Sequence, residues 1–364
     1  MSNWGTTPKL PVLIEQGRRP VSYQQAILEA MRQALASDER VRVLGEGVTD
    51  KAGTYGTTKG LREEFGDERV FDVPTAESII TGMGIGMGLG GLRPIVIHPR
   101  NDFLLIGLDQ IANHAAKWEL MFGGRASAPI AIRTVACRGW GSAAQHSQAL
   151  HAVLAHFPGL AVAAPFTPAD AKGMLLYAAL EASGPVMLME HKWLWNLTGH
   201  VEQAPYFRPP GPPQVLRAGR DVTIAALSYA VADSLLAAKK LHEQHNISAE
   251  VIDIRWLRPL EVGPICESVR RTGRLIVVDT GHVQYGVGGE VISQVLEQLA
   301  PSELKASPRR IGLPASPVPA CGESTYYPGP DDIVAAAAGL TEALAAGEEA
   351  GRYVPAAPRS SQVR

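Results

Sequence analysis

Apolar residues follow two alternating patterns along the chain, one typical of helices and one of buried strands. Ile27, Met31 and Leu35 recur every four residues, as the buried face of an amphipathic helix requires. Ser22 and Gln25 precede them at the spacing of a capping box, which predicts a helix beginning after Ser22. Runs such as RLIVVD are apolar on both faces, which is typical of parallel strands covered by helices.

The first half of the chain is predicted to alternate between strands and helices. Thr167, Pro168 and Asp170 combine a capping hydroxyl, a first-turn proline and an acid, and so predict a helix over 168–182. Further helices are expected over 58–65, 77–90 and 107–122 and from about His146. Strands are expected at 41–44, 69–73, 94–98, 129–135, 160–164 and 185–190.

Residues 203–214 (QAPYFRPPGPPQ) contain five prolines, which neither a helix nor a central strand tolerates. They predict a semi-rigid linker, after which the alternation of strands and helices resumes. The predicted fold is therefore α/β, with two domains that each hold a mainly parallel sheet covered by helices. The expected order is an N-terminal arm (1–20), a first domain (21–202), the linker (203–214), a second domain (215–346) and a tail (347–364).

The composition excludes several classes of protein. Lysine and arginine number 34 against 36 acidic residues, so the chain lacks the basic excess of a nucleic-acid or anionic-membrane binder. No apolar run reaches the ~18–20 residues of a membrane span, and the N-terminus does not have the pattern of a secretory signal. Cys137, Cys266 and Cys321 are odd in number and far apart, which predicts reduced thiols in a cytoplasmic protein.

Six glycines between residues 82 and 91 include a match to a dinucleotide fingerprint, Gly86-x-Gly88-x-x-Gly91. That fingerprint needs a strand before the glycines and a helix after them, and here the predicted order is reversed. Gly82, Gly86 and Gly90 lie four apart on one predicted helix face. Because each glycine costs ~1 kcal/mol relative to alanine, we interpret this face as a close-packing surface, expected at a subunit interface.

Two polar segments are candidates for chemistry, and the residues alone leave their role open. Glu77 begins a predicted helix, where an acid usually serves only as a favourable partner of the helix dipole. His146 lies in Gln145-His146-Ser147-Gln148, which could equally be a helix cap. No metal site is predicted, because His146, His151 and His156 are spaced five apart and scatter around a helix.

Over residues 21–345 the sequence resembles a known family. It is similar to the beta subunit of the thiamine-diphosphate-dependent, decarboxylating component of 2-oxoacid dehydrogenases (pyruvate or branched-chain type). The matching stretches are GLREEFGDERVFDVPTAES, GLRPIVIH, LDQIANHAAK, AAQHSQAL, FPGLAVAAP, DAKGMLLYA, EVIDIRWLRPL and TGRLIVVD. The resemblance implies a transketolase-like pyrimidine-binding domain followed by a transketolase C-terminal domain.

The resemblance also implies roles for three residues. Glu77 matches the glutamate of the family's P-x-x-E, which faces the cofactor's aminopyrimidine and favours its imino tautomer. Phe103 matches the aromatic residue that stacks on the pyrimidine; without the resemblance it would be read as a core phenylalanine. His146 matches the histidine of Q-H-S-Q, which lies near the reacting carbon. Glu77 and His146 are thus expected to be catalytic, and Glu77 and Phe103 to bind the cofactor.

A motif of the wider thiamine-diphosphate enzymes is absent from the chain. Those enzymes hold the diphosphate through Mg²⁺ on a G-D-G motif followed by an asparagine, whereas this chain has Gly66-Asp67-Glu68 in a helix–strand turn. The resemblance therefore implies an alpha-type partner that holds the diphosphate and Mg²⁺, in an alpha2beta2 heterotetramer. A lipoyl acyltransferase is a further possible partner.

The segment His98-Pro99-Arg100-Asn101-Asp102 departs from the pyruvate-type members of the family. His98 or Arg100 could recognise an anionic or polyhydroxylated substrate, and a loop salt bridge with Asp102 explains the segment equally well. Three functions therefore remain open. The first is a beta subunit that decarboxylates a 2-oxoacid and transfers the acyl group. The others are a split transketolase-like or acyloin-forming carboligase, and a non-catalytic scaffold.

Overall fold

The computed structural model describes residues 18–138 and 141–345, which form an α/β structure. Most of the predicted arm and all of the predicted tail lie outside these residues. The described strands are β1 (Pro20–Ser22), β2 (Val41–Gly45), β3 (Val70–Asp72), β4 (Arg93–His98), β5 (Ala131–Ala136), β6 (Ala161–Ala163), β7 (Val186–His191), β8 (Thr198–His200), β9 (Gln214–Arg217), β10 (Val222–Ala226), β11 (Ala249–Asp253), β12 (Trp256–Arg258), β13 (Leu275–His282) and β14 (Arg309–Leu313).

The helices of the same residues alternate with the strands. They are α1 (Tyr23–Ser37), α2 (Leu61–Phe65), α3 (Glu77–Leu89), α4 (Trp118–Met121), α5 (His151–Ala155), α6 (Pro168–Leu176), α7 (Ala230–His245), α8 (Gly263–Thr272), α9 (Val287–Gln298), α10 (Glu323–Tyr326) and α11 (Pro330–Ala345).

Two local predictions of helix starts are confirmed. The Ser22 hydroxyl accepts a hydrogen bond from the backbone N–H of Gln25, whose side chain accepts from the N–H of Ser22, which closes the capping box of α1. Thr167 caps α6 in the same way, because its hydroxyl accepts from the N–H of Asp170 at 2.9 Å.

One sheet has seven strands, in the order β12-β6-β7-β5-β4-β2-β3. Its strands are parallel except β12, which pairs antiparallel with β6. The central strands β4, β5 and β7 are buried along almost their whole length because helices cover both faces. The mainly parallel sheet is as predicted. The contribution of β12, from the second half of the chain, is not.

A five-stranded sheet follows, with order β14-β13-β10-β11-β9, parallel except for β9. Alternate residues of β10 face opposite sides: Ile224 packs in the core shared with α7 and α11, and Ala225 packs in the core shared with α8 and α9. The predicted linker is held against α6, since Arg208 bonds to the Asp170 carboxylate and the Tyr206 hydroxyl donates to Ala169 O. The domain boundaries themselves stay a prediction.

The helix predicted over 168–182 ends earlier in the structure, where α6 gives way to a π-helical turn (Tyr177–Glu181). Two further predicted helices differ more. The segment 107–122 is not one helix but a 3-10 turn (Phe103–Gly107), a π-helical turn (Gln110–Ala115) and α4. The helix expected from about His146 begins at His151, after a single 3-10 turn at Ala144–His146. The reason is a tertiary contact: the Asn101 side chain bonds to the backbone of Gln148 and Leu150 and occupies backbone groups that a helix would otherwise use.

The glycines of α3 serve two different surfaces. An added Cβ would lie 2.5 Å from Val96 Cγ2 at Gly84 and 3.3 Å from Pro129 Cδ at Gly88, so this face needs glycine to pack on the sheet. An added Cβ at Gly86 would meet nothing within 4 Å among the described residues. On the predicted face of Gly82, Gly86 and Gly90, Gly82 therefore lies against the turn Gln110–Ala115, with an added Cβ 3.7 Å from Gln110 Cγ, and the surface at Gly86 is open in the described chain.

Candidate active site

The segments that carry Glu77, Phe103 and His146, the site residues predicted from the sequence, follow strands of the seven-stranded sheet at its carboxyl edge. The parallel strands β2, β4, β5 and β7 all end there, so the residues that follow them are neighbours in space. Glu46 follows β2, His98 ends β4, Cys137 follows β5 and Lys192 follows β7. In open α/β sheets this edge is where ligands bind.

Glu77 is the first residue of α3 and is 6% exposed. The unsatisfied N–H groups and dipole of the helix N-terminus favour a negative charge there. Gly107 lies directly against it, since an added Cβ at Gly107 would be 3.0 Å from the Glu77 carbonyl oxygen. The Ser78 hydroxyl also donates to Ile106 O at 2.7 Å. These contacts bring the turn that begins at Phe103 onto the start of α3.

Phe103 and His146 are in direct contact. Their ring centroids lie 5.2 Å apart with an interplanar angle of 84°, an edge-to-face arrangement. Both side chains are half-buried. The structure thus places Phe103 against His146, and the turn that begins at Phe103 packs on the start of α3, where Glu77 lies.

The histidine loop, residues 141–148, is held in place by two residues of the segment that follows β4. Asp102 accepts from the backbone N–H of Gln148 at 3.0 Å, and the Asn101 amide donates to Gln148 O at the same distance. Burial raises the pKa of Asp102, while the hydrogen bonds from Gln148 and the nearby His146 oppose that rise. The polar residues of the His98–Asp102 segment therefore include two that position the histidine loop.

His98 and Arg100 have different environments. His98 is 1% exposed, and its Nε2 lies 3.1 Å from the hydroxyl of Thr81 on α3. Burial lowers the pKa of His98 to about 4, so the ring is neutral at physiological pH. Arg100 is half-buried. Burial raises the pKa values of Tyr55 and Cys137 and lowers that of Lys192, and the positive charge of Arg100 opposes the first two shifts and adds to the third. Arg100 is therefore the charged member of the predicted pair.

Lys192 is a site residue to which the sequence alone gave no role. Its amine lies 4.4 Å from the ring centroid of Tyr55 and 5.3 Å from that of Trp195, both cation–π contacts. Burial, with a smaller effect from Arg100, lowers its pKa to about 8 against the opposing influence of Cys137. The signals in the sequence are its place directly after a buried strand and its place in His191-Lys192-Trp193, a polar and aromatic segment expected near the mouth of the site.

Glu46 is the second residue that sequence reasoning missed. Burial, followed by the charge of Glu77, raises its pKa, which shows that the two carboxyl groups are electrostatic neighbours. Its Oε1 is buried and has no hydrogen-bond partner among residues 18–138 and 141–345. A buried, unpaired oxygen beside a second acid indicates a place where a proton donor can bind.

A cleft of about 570 Å³ lies beside the histidine loop and opens between the two halves of the chain. Gln145 and Gln148 line one wall, and His282, Gln284 and Ser316 line the other.

In the described part of the chain, no group of three or more His, Cys, Asp or Glu could hold a metal ion, and no helix is long and apolar enough to cross a membrane.

Two α/β units in series, with an acid, an aromatic ring and a histidine at the sheet edge, define a protein of the transketolase type. Residues 19–196 match the family described as "Transketolase, pyrimidine binding domain", and residues 211–333 match "Transketolase, C-terminal domain". A solved structure, "Split gene transketolase, inactive beta4 tetramer", has the same fold, with a TM-score of 0.71, 24% identity and coverage of 88% of this chain and 98% of that chain.

Three characterised relatives narrow the class. The chain is 39% identical to the acetoin:2,6-dichlorophenolindophenol oxidoreductase subunit beta of Cupriavidus necator, over 88% of this chain and 97% of that protein. It is 38% identical to the 2-oxoisovalerate dehydrogenase subunit beta of Bacillus subtilis (88% and 99%) and 36% identical to the pyruvate dehydrogenase E1 component subunit beta of the same organism (87% and 98%). The chain belongs to this family of 2-oxoacid dehydrogenase-type beta subunits, as its motifs predicted.

Proposed function

We propose that this chain is the beta subunit of a thiamine-diphosphate-dependent enzyme that decarboxylates a 2-oxoacid and transfers the acyl group. One observation carries the proposal: buried Glu77 begins α3 beside the turn that places Phe103 against His146. A scaffold subunit would need none of these three groups. The two relatives from Bacillus subtilis are named for 2-oxoacid dehydrogenases, which supports this function.

The residues present fit the aminopyrimidine end of thiamine diphosphate. Glu77 offers a buried carboxyl group to a ring nitrogen, and Phe103 offers a half-buried ring face on which the pyrimidine can stack. The unpaired Oε1 of Glu46 supplies a further acceptor beside Glu77. When bound, the cofactor supplies the carbanion chemistry that cleaves the bond to the carboxylate and carries the acyl group.

The protein residues hold and move protons around that group. Glu77 would share a proton with a nitrogen of the aminopyrimidine ring, and its burial would keep water from competing for that contact. His146 would donate a hydrogen bond or a proton to the substrate. Asp102 and Asn101 fix the backbone beyond His146, so the imidazole stays against Phe103 rather than swinging into solvent.

The substrate is proposed to carry an anionic group. Arg100 and Lys192 supply two positive charges at the ends of β4 and β7, the edge at which Glu77 and Phe103 lie. A carboxylate is a natural partner for a guanidinium and an ammonium group. His98 is neutral, so it would contribute a hydrogen bond through its Nδ1, which is buried and has no partner among the described residues.

The partner is proposed to be an alpha-type subunit in an alpha2beta2 assembly. The sequence lacks the G-D-G motif for Mg²⁺ and the diphosphate, so we assign both to the alpha subunit. The open surface of α3 at Gly86 and the exposed Ile79 and Ile106 offer an apolar surface for subunit contact. A lipoyl acyltransferase would accept the acyl group. The free thiols are in keeping with a cytoplasmic protein.

A second candidate function has support from one comparison. The relative from Cupriavidus necator is named for acetoin, a 2-hydroxyketone, rather than for a 2-oxoacid. The same site residues could act on such an acyloin, or join two carbon units into one, because proton transfer beside a carbonyl is required in each case. The substrate would then be uncharged, and Arg100 and Lys192 would have no anion to bind.

Reconstitution tests both candidates. The chain is combined with its alpha-type partner, thiamine diphosphate and Mg²⁺, and dichlorophenolindophenol serves as the electron acceptor. Pyruvate, branched-chain 2-oxoacids and acetoin are compared, with and without an added aldehyde. Carbon dioxide release coupled to dye reduction supports the first function, and turnover of acetoin alone supports the second. Tight stoichiometric binding of the cofactor by the isolated chain would contradict the shared site.

A further inference from the structure

We propose that Glu323 and Tyr327 of the C-terminal half are positioning residues for His146, acting through the two ends of the histidine loop. This inference rests on the proposed function, in which His146 contacts the substrate. Neither residue touches the imidazole. Both act on the backbone that carries it, from the segment of α10 and the residue that follows it.

The contacts lie on either side of His146. The backbone N–H of Gly141 donates to the carboxylate of Glu323 at 2.5 Å, and the Tyr327 hydroxyl donates to Ser147 O at 3.4 Å. Glu323 is 3% exposed, so its contact is shielded from water. One short segment of the C-terminal half thus holds residues five before and one after His146, while Asn101 and Asp102 hold Gln148 from the first half.

Arg138 fixes the segment that makes these contacts. Its guanidinium carbon lies 4.4 Å from the ring centroid of Trp193, 4.7 Å from that of Tyr229 and 4.7 Å from that of Tyr327. Its Nη2 lies 3.6 Å from the Asp233 carboxylate, and both side chains of that ion pair are about one-tenth exposed or less. A cation enclosed by three aromatic rings holds Tyr327 across the boundary between the two sheets.

The histidine loop needs such support because it has little structure of its own. It contains a single 3-10 turn, Ala144–His146, preceded by Ala143 at φ 61°, a left-handed conformation unfavourable for alanine. Catalytic groups must be held within a fraction of an ångström of their productive position. Loosening either end of the loop should therefore change the position of His146 without removing it.

Four variants test the proposal in the reconstituted assembly. Tyr327→Phe keeps the ring that packs on Arg138 and removes only the hydroxyl. Glu323→Ala removes the acceptor for Gly141, whereas Glu323→Gln keeps an oxygen that can accept. Tyr326→Phe is the matched control, because the Tyr326 hydroxyl bonds to Ser316 within the C-terminal half. Thermal unfolding checks that each variant is folded.

Two readouts separate positioning from general stability. Tyr327→Phe and Glu323→Ala should lower kcat about three- to tenfold with KM changed less than about twofold, the effect of losing one hydrogen bond that aligns a catalytic group. Glu323→Gln and Tyr326→Phe should retain near-normal kcat. In the isolated full-length chain, amide hydrogen exchange of the peptide covering 141–150 should accelerate in the first two variants and not in the last two.

Failure of this proposal can be told apart from failure of the proposed function. Unchanged exchange in Tyr327→Phe and Glu323→Ala overturns the loop contacts, and faster exchange with unchanged kcat overturns their role in positioning His146. Equal loss of kcat in Tyr326→Phe assigns the effect to general stability and also overturns the proposal. If the unaltered assembly turns over none of the substrates, the proposed function fails, and the exchange data still decide whether Glu323 and Tyr327 hold the loop.

Discussion

His151 and Asp279 join the two halves of the molecule through a buried hydrogen bond, with Nε2 and Oδ1 2.7 Å apart and each side chain 4% exposed. The same carboxylate accepts from the backbone N–H groups of Gly281 and of Val287, the first residue of α9. Burial would raise the pKa of Asp279, but His151 and the two N–H donors together hold it below its usual value.

Replacing His151 by alanine should destabilise the protein by about 2–4 kcal/mol, because a buried carboxylate loses its charged or hydrogen-bonding partner. The free energy of unfolding, measured by urea titration at neutral pH, checks this. His156→Ala, at the C-terminal end of the same helix α5, is the control, since His156 is exposed. A loss below about 0.5 kcal/mol would show that the two backbone donors suffice.

The same pair gives a stability profile with pH. The folded-state pKa of Asp279 is lowered, so its stabilising contribution is fully present above the unfolded value of about 3.9 and is lost as pH falls through the lower folded value. The stability difference between the unaltered protein and Asp279→Asn should therefore shrink below about pH 4. A difference that stays constant from neutral pH into this range would contradict the assignment.

Glu77→Gln should lower turnover by at least about 100-fold while leaving the fold and assembly intact, because the amide fits the same buried position and cannot share a proton in the same way. The rate is measured in the reconstituted assembly, and thermal unfolding and size-exclusion chromatography report on folding and assembly. Glu68→Gln, at an exposed acid of the same domain, is the matched control. Turnover within about tenfold of normal would remove Glu77 from the mechanism.

His146→Ala should reduce kcat by about 100-fold and change the affinity for thiamine diphosphate much less, because the imidazole is proposed to act on the substrate. Steady-state kinetics and a cofactor titration measure the two effects separately. His114→Ala, at an exposed histidine of the same domain, controls for the loss of an imidazole. Equal losses of kcat and cofactor affinity would instead assign His146 to cofactor binding.

The parts of the fold that the sequence predicted are those that local chemistry decides. The capping box at Ser22, the N-cap at Thr167 and the apolar strands each depend on residues within a few positions of one another. The late start of α5 was missed because Asn101, distant in sequence, binds the backbone of Gln148 and Leu150. The pairing of β12 with β6 was missed for the same reason, since nothing in Trp256–Arg258 specifies which sheet it joins.

The site residues also fall into two groups, those that a sequence motif predicts and those that only the folded chain reveals. Glu77, Phe103 and His146 could be predicted because family motifs carry them, and the structure places Phe103 against His146. Glu46 and Lys192 have no motif, and their chemistry comes from burial and neighbours: Glu77 beside Glu46, and Tyr55 beneath Lys192. Such neighbours follow from the alignment of parallel strand ends, which only the folded sheet shows.

Lys192 gives the substrate proposal a pH signature. Burial lowers its pKa to about 8, so the amine is charged below that pH and becomes neutral as pH rises through it. The KM for a 2-oxoacid should therefore increase above about pH 8, since the anion loses one of two cationic partners. Lys192→Met should raise KM at least about tenfold at neutral pH, the effect of losing a charge-assisted hydrogen bond of ~1.5–3 kcal/mol. Lys192→Arg is the matched control: it stays charged, so its KM should remain flat from about pH 7 to about pH 9.5.

Two results would show that Lys192 does not bind the substrate: a KM in Lys192→Met within about twofold of normal, or the same rise of KM with pH in Lys192→Arg. Either result would favour an uncharged substrate such as an acyloin.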